Sequence, residues 1–187
     1  MDNAFNSFAF NIFRILSENN NDNTLISPYS ILTSLNSCLL GAHNETSKEI
    51  FEALKYDLSF ASTEEVHDFM QKINEQWIAK DNPFTLYSVN CLLLNKENDC
   101  EMDSDFERKV NEIYGGIVRE ADFTNEHESL IESCNEWVVE KTKNMISSIV
   151  DQLSPSAKLV LLNAIYFKGN WKTEFHKQNI VKQMLEY

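Results

Sequence analysis

Lys158-Leu159-Val160-Leu161-Leu162-Asn163-Ala164-Ile165-Tyr166-Phe167 is the stretch on which the fold turns. Apolar residues occupy both alternating faces of an extended chain here, which predicts a central strand buried on both sides. Asn163 interrupts the run at its middle. A buried amide must find hydrogen-bond partners or cost roughly 1–3 kcal/mol. Two readings stay open for it. It is a core amide satisfied by neighbouring backbone, or a polar latch at a place where strands separate.

Upstream, Phe84 to Leu94 reads as a second, long strand on its branched and aromatic content, and Ile117 to Phe123 as a shorter one. Helices fill the intervals. Phe5, Phe8, Ala9, Ile12, Phe13 and Leu16 recur at helical spacing and form one wide apolar face, ended by the turn-prone Asn19 to Asn23. Ser27 caps a second helix with Pro28 at its first position. Ile31, Leu32, Leu35, Cys38 and Leu39 make it apolar nearly all round, and Gly41 stops it.

Capping boxes are read at Thr46 with Glu49, for a short helix through Leu54, and at Ser62 with Glu65, for a helix with Val66, Phe69, Met70, Ile73 and Trp77 inward. Ser104 with Glu107 opens a further helix, with Phe106, Val110 and Ile113 inward and Gly115 at its end. Asn125 with Glu128 opens another that runs past Trp137 to about Thr142, followed by an apolar stretch from Ile146 to Val150. Helices first, then strands alternating with helices, predict an α+β domain.

Composition narrows the function classes. The chain has 187 residues, 43% of them apolar, and only 4 Gly and 3 Pro, so it can build a core and is no low-complexity segment. Its formal charge of −13 repels phosphate backbones and anionic membranes, so no nucleic-acid or membrane partner is expected. No run approaches the roughly 18 apolar residues of a membrane span. Met1-Asp2-Asn3 lacks the cationic start of a secretory signal, so a cytoplasmic location is expected, with an extracellular one as the alternative. The sequon Asn44-Glu45-Thr46 matters only on the secretory route. Cys38, Cys91, Cys100 and Cys134 form no C-x-x-C pair and are expected to be free, mostly buried thiols.

Catalytic patterns are missing. His43, His67, His127 and His176 show no ligand spacing and are expected at surfaces or in loops. No G-x-S-x-G, P-loop or G-x-G-x-x-G occurs, and the acidic groups Glu64-Glu65 and Asp103 to Glu107 suit solvated helix starts. No enzyme, metal or cofactor is expected. One more feature stands out in Ser27-Pro28-Tyr29-Ser30. Ser30 is not needed for capping, so its hydroxyl is available to another buried polar group.

At these residues the chain resembles the serpins, the serine-protease inhibitor family. Leu25-Ile-Ser-Pro-Tyr-Ser-Ile31, followed by Leu39-Leu-Gly-Ala42, resembles the family's helix beneath sheet A. Asn135-Glu-Trp137-Val, then Thr142 and Ile146, resembles the helix that crosses that sheet. Leu162-Asn-Ala-Ile-Tyr-Phe-Lys-Gly-Asn-Trp171, followed by Phe175, is similar to the third strand of sheet A and its turn. The matches keep family order from Phe5 to Phe175.

The resemblance implies a truncated serpin fold, an incomplete domain over residues 1–187 with the amino-terminal helices and the early strands of sheet A. It implies that Ser27, Ser30 and Asn163 belong to the polar "shutter", that Trp171 is the "breach" tryptophan, and that Asn135, Trp137 and Thr142 mark the crossing helix. It implies an endopeptidase inhibitor that offers a bait loop to a serine or cysteine protease and inserts that loop into sheet A after cleavage. No counterpart of that loop, of its scissile bond or of the later strands is found here, and Val181 to Leu185 only loosely resembles the strand expected next. By this reading the polypeptide alone traps no protease, and the Lys158 to Phe167 strand exposes an apolar edge. The alternative is a non-inhibitory fragment that binds a partner through that edge. Where serpins often have Gly after the crossing helix, this chain has Lys143-Asn144-Met145, and Asn is expected to sustain the left-handed turn. The helix carrying Glu64, Glu65, Asp68 and Glu75 against Lys72 and Lys80 lacks the basic face of a heparin site.

Overall fold

The computed structural model describes residues 2–18, 22–78, 82–97 and 102–173. Cys100, Lys80, His176, Phe175, Val181 to Leu185 and part of the Asn19 to Asn23 turn lie outside the described residues. The order of elements is α1 (Asp2–Ser17), α2 (Pro28–Gly41), α3 (Asn44–Ala53), a 3-10 turn (Tyr56–Leu58), α4 (Thr63–Ile78), β1 (Phe84–Asn95), α5 (Ser104–Tyr114), β2 (Ile117–Ala121), α6 (His127–Lys141) and β3 (Leu159–Gly169).

The three strands form one sheet in the order β2-β1-β3. β2 runs parallel to β1, and β3 runs antiparallel to it. Thus β1 is the central strand and β3 lies at an edge of the described sheet: its doubly apolar pattern had predicted a central strand, whereas the family resemblance had implied an exposed edge for this stretch of chain. The physical reason is pairing order. A doubly apolar strand can be covered on its two faces while one of its edges stays unpaired. Phe167 (65%) and Leu159 (41%) accordingly remain exposed.

The pleat sorts the strand residues between two layers. Val89, Cys91, Leu93, Leu162 and Ala164 pack under α6 with Cys134, Trp137 and Val138. On the other face Leu92 meets Val110 and Val118. The largest core lies among the helices, where Phe5, Tyr56, Phe60 and Phe69 pair with ring centroids 5.3–6.0 Å apart. Each such pair contributes about 0.5–1.5 kcal/mol beyond its buried area.

α2 differs from its expected character. Its buried residues include Ser30, Thr33, Ser34, Asn36 and Ser37 beside Leu32 and Leu39. The helix is central because small polar side chains let neighbours approach closely, not because it is apolar all round. Gly41 ends it in a tight contact, since a Cβ there would meet the Phe106 ring at 2.8 Å.

Helix starts shift from their expected places. α3 begins at Asn44, in a left-handed conformation (φ 52), and His43 gives no side-chain cap, so Thr46 and Glu49 sit inside the helix. Asp103, not Ser104, caps α5 by accepting from the Asp105 N–H at 2.8 Å. Before α6, Asp122 accepts from the backbone of Thr124 and Asn125, and the helix starts only at His127. At α4 the Ser62 Oγ does accept from the Glu65 N–H, and Glu65 returns a bond to the Ala61 N–H. Trp77, expected inward, is 38% exposed and lies against the Tyr29 ring.

His67 is a second correction. It is buried between α4 and α5, with Nδ1 at hydrogen-bond distance from the Tyr114 hydroxyl. Its position one residue after Val66 and three before Met70 puts it on the flank of the apolar face, where the α5 helix covers it. Cys91 and Cys134 are buried and free, as expected, and Cys38 is half-buried and free. Burial pushes the Cys91 thiol up to about 12 and raises Cys134 and Cys38 as well, so all three stay protonated and unreactive at neutral pH.

Candidate functional site

The register of the sheet sets Asn90 of β1 directly opposite Asn163 of β3. Both point to the face that α2 covers. The Asn163 Nδ2 donates to the Asn90 Oδ1 at 2.6 Å, and the Ser30 Oγ donates to the Asn163 Oδ1 at 2.5 Å. The Ser34 Oγ donates to the same Asn90 oxygen at 2.8 Å. The Thr33 hydroxyl bonds the Ser30 carbonyl at 2.7 Å and also lies 3.3 Å from the Asn90 Oδ1. The Asn90 Nδ2 reaches the Tyr114 carbonyl at the end of α5 at 3.4 Å. Two strands and two helices therefore meet at one polar knot inside apolar surroundings.

Of the residues singled out in the sequence, Ser30 and Asn163 come together in this knot. Ser27 stands one step back. Its Oγ accepts from the Ser30 N–H at 3.3 Å and so fixes the first turn that aims Ser30 at β3. Tyr29 ties the same turn to α4 through a bond from its hydroxyl to the Asn74 Oδ1, and the Asn74 Nδ2 donates to the Ile113 carbonyl of α5. Asn90, Thr33 and Ser34 were missed. A signal for Asn90 exists, because Val89-Asn90-Cys91-Leu92 has the same single amide in an apolar strand as the Asn163 stretch.

Asn135, Trp137 and Thr142 sit elsewhere, on the opposite face of the sheet. Asn135 staples the segment after α6 to the helix. Its Oδ1 accepts from the N–H groups of Ile149 (2.8 Å) and Val150 (3.1 Å), while its Nδ2 donates to the Val150 carbonyl at 2.9 Å. Thr142 is fully buried and bonds the Val138 carbonyl through Oγ1, which in turn accepts from the Ile146 N–H. Trp137 packs between α6 and β1 beside Val138. We expect Asn135→Ala to cost about 2–3 kcal/mol, because it orphans three backbone groups at once. Urea denaturation checks this, and a loss under about 0.5 kcal/mol would contradict it.

Trp171 is not part of the knot. It is 74% exposed, beyond the end of β3 at Gly169, which lies roughly 20 Å along the strand from Asn163. On that side Leu25, Pro28, Tyr29, Trp77, Leu86 and Phe167 line an apolar cleft of about 700 Å³. The side chains of the polar knot are amides and hydroxyls, with no carboxylate or imidazole among them. Among the described residues no group of His, Cys, Asp or Glu is arranged to hold a metal ion, and no helix is long and apolar enough to cross a membrane.

Comparison with known proteins agrees with this architecture. A family model described as "Serpin (serine protease inhibitor)" matches residues 3–184. The chain is 34% identical over 178 residues to Serpin B6 of Bos taurus, covering 94% of this chain and 47% of that protein. It is 33% identical over 186 residues to Antithrombin-III of Mus musculus, covering 96% of this chain and 40% of that one. Thyroxine-binding globulin, solved in complex with thyroxine, superposes with a TM-score of 0.84 at 27% identity, covering 95% of this chain and 48% of that one. Human glycosylated kallistatin superposes with a TM-score of 0.84 at 25% identity, covering 94% and 47%. The chain thus spans about half the length of the relatives it matches.

Proposed function

Because this chain belongs to the serpin family, we propose that it forms the strand-receiving half of a serine-protease inhibitor. The single observation that carries this reading is the Ser30–Asn163–Asn90–Ser34 knot beside a sheet edge, β3, that has no outer partner among the described residues. Hydrogen bonds of this kind hold β3 to β1 and α2 firmly. The outer edge of β3 meanwhile presents a row of N–H and C=O groups to a further strand. In this proposal Ser27, Ser30 and Asn163 act as the shutter, joined by Asn90 and Ser34, and Trp171 marks the upper end of the sheet.

A polypeptide of residues 1–187 used alone is expected to leave proteases active, since the family's bait loop has no counterpart assigned within it. Incubation with trypsin-like and chymotrypsin-like serine proteases, followed by denaturing electrophoresis, tests this. No denaturant-resistant complex is the expected result, and the appearance of one would overturn the proposal. Acceleration by heparin is not part of the proposal, because α4 presents Glu64, Glu65, Asp68 and Glu75.

A second reading rests on the exposed apolar residues near the edge, Leu25 (98%), Phe167 (65%) and Trp171 (74%). In that reading the chain is a non-inhibitory interaction module that docks a partner through β3. A defined monomer or dimer in sedimentation supports it, and polydisperse aggregates count against it.

A further inference from the structure

We propose that Lys143 is a latch that fastens the end of α6 to both β1 and β3, and so sets how readily α6 and the segment after it lift from the sheet. The latch is a property of this chain's own turn and holds whether or not the protein inhibits a protease.

The turn after α6 is built as a Schellman cap. The Lys143 N–H donates to the Glu140 carbonyl (3.3 Å) and the Asn144 N–H to the Val139 carbonyl (2.9 Å). Such a cap needs its first residue past the helix in the left-handed region, a position usually held by glycine. Here Lys143 takes it, at φ 53, and Asn144 follows at φ 64. Asn tolerates that region, as expected above, whereas the Cβ of Lys is crowded there. Nothing in the cap itself requires a side chain at that position.

The Lys143 side chain explains the exception. Its ammonium lies 5.1 Å from the centre of the Tyr87 ring and 5.6 Å from that of Tyr166. These two rings are cross-strand partners of β1 and β3, with centroids 5.9 Å apart on the face that α6 covers. One cation therefore bridges two strands and the end of a helix. Glycine would relieve the strain and lose the bridge. The latch also lies at the far end of the segment stapled by Asn135, so residues 142–150 are held at both ends.

Hydrogen–deuterium exchange on the whole chain tests the latch. Lys143→Met keeps the stem and the left-handed strain but removes the charge. It is expected to speed exchange of residues 138–150 about fivefold, with β1 and α2 unchanged. Lys143→Gly is expected to speed exchange of the same segment while leaving the urea midpoint above that of Lys143→Met, because the strain is gone. A helix-dipole contribution of the lysine would survive loss of the rings. In a Tyr87→Leu, Tyr166→Leu background the further effect of Lys143→Met is therefore expected to vanish. Unchanged exchange in Lys143→Met, or an undiminished effect in the ring-free background, would overturn the proposal.

Discussion

Replacing Asn90 by Ala is expected to destabilise the protein by about 3–4 kcal/mol, more than an ordinary substitution of its size. Asn90 is 1% exposed, and its Oδ1 accepts from both Asn163 and Ser34. Truncation removes that partner from the Asn163 amide and the Ser34 hydroxyl at the same time and leaves each only a long bond of 3.5 Å, to the Val89 and Ser30 carbonyls. A buried donor left poorly satisfied costs about 1–3 kcal/mol. Its Nδ2 also holds the Tyr114 carbonyl, so the end of α5 loosens with it. Asn163→Ala removes part of the same network. The double variant is expected to cost clearly less than the sum of the two single ones. Urea midpoints at neutral pH for all three give the answer. Strict additivity, or a loss under about 1 kcal/mol for Asn90→Ala, would show that the knot is not a cooperative unit.

Acidification is expected to weaken the fold through His67. Burial lowers its pKa to about 4, opposed by the carboxylates of Glu64 and Asp68 and assisted by Lys109. The folded state therefore holds His67 neutral while the unfolded chain binds a proton near pH 6.5. The contribution is fully present above about pH 6.5 and is lost as pH falls through the folded value near 4. Over that window the difference amounts to about 3 kcal/mol. Other carboxylates titrate near the lower limit, so the comparison is with His67→Gln, which cannot protonate. Between pH 7 and pH 4 the natural protein is expected to lose about 3 kcal/mol more than the variant. Equal losses would mean that His67 stays accessible to solvent protons in the fold.

The two features differ in how legible they were. Periodicity located the helices with a clear apolar face, as at Val66, Phe69, Met70 and Ile73, while the apolar run Val160 to Phe167, the branched and aromatic content of β1 and the capping residues before α3 located other elements; the 3-10 turn at Tyr56–Leu58 was not read. Asn163 stood out for the same reason, as one amide in an apolar strand. What periodicity misses is what depends on a distant partner. Asn90 becomes a site residue only when the register of β1 and β3 puts it opposite Asn163. Ser34 and Thr33 look like solvent-facing helix residues until a strand more than fifty positions later covers them. His67 lies beside the apolar stripe of α4, and only the docking of α5 with Tyr114 decides that it is buried.

The caps at Ser27 and Ser62 hold, and those of α5 and α6 shifted for a local reason. Asp103 and Ser104 are adjacent, and Asp122 and Asn125 stand three residues apart; within each pair both residues can cap, and the backbone path chooses between them. The edge position of β3 was not readable from its composition either, since a strand apolar on both faces says nothing about its neighbours on either side. The glycine-like turn at Lys143 is the converse case. Its sequence breaks a local rule, and the break marks the place where a side chain serves the tertiary structure.

The most direct test of the account is strand addition at β3. A twelve-residue extended peptide of alternating Thr and Val or Ala, capped at both ends, is titrated into the 187-residue chain while amide exchange is followed. The β3 amides between Leu159 and Gly169 that face away from β1 are expected to become protected, and the melting temperature to rise with peptide concentration. Unchanged exchange along β3 at millimolar peptide, with an unchanged melting temperature, would contradict the claim that this edge receives a strand.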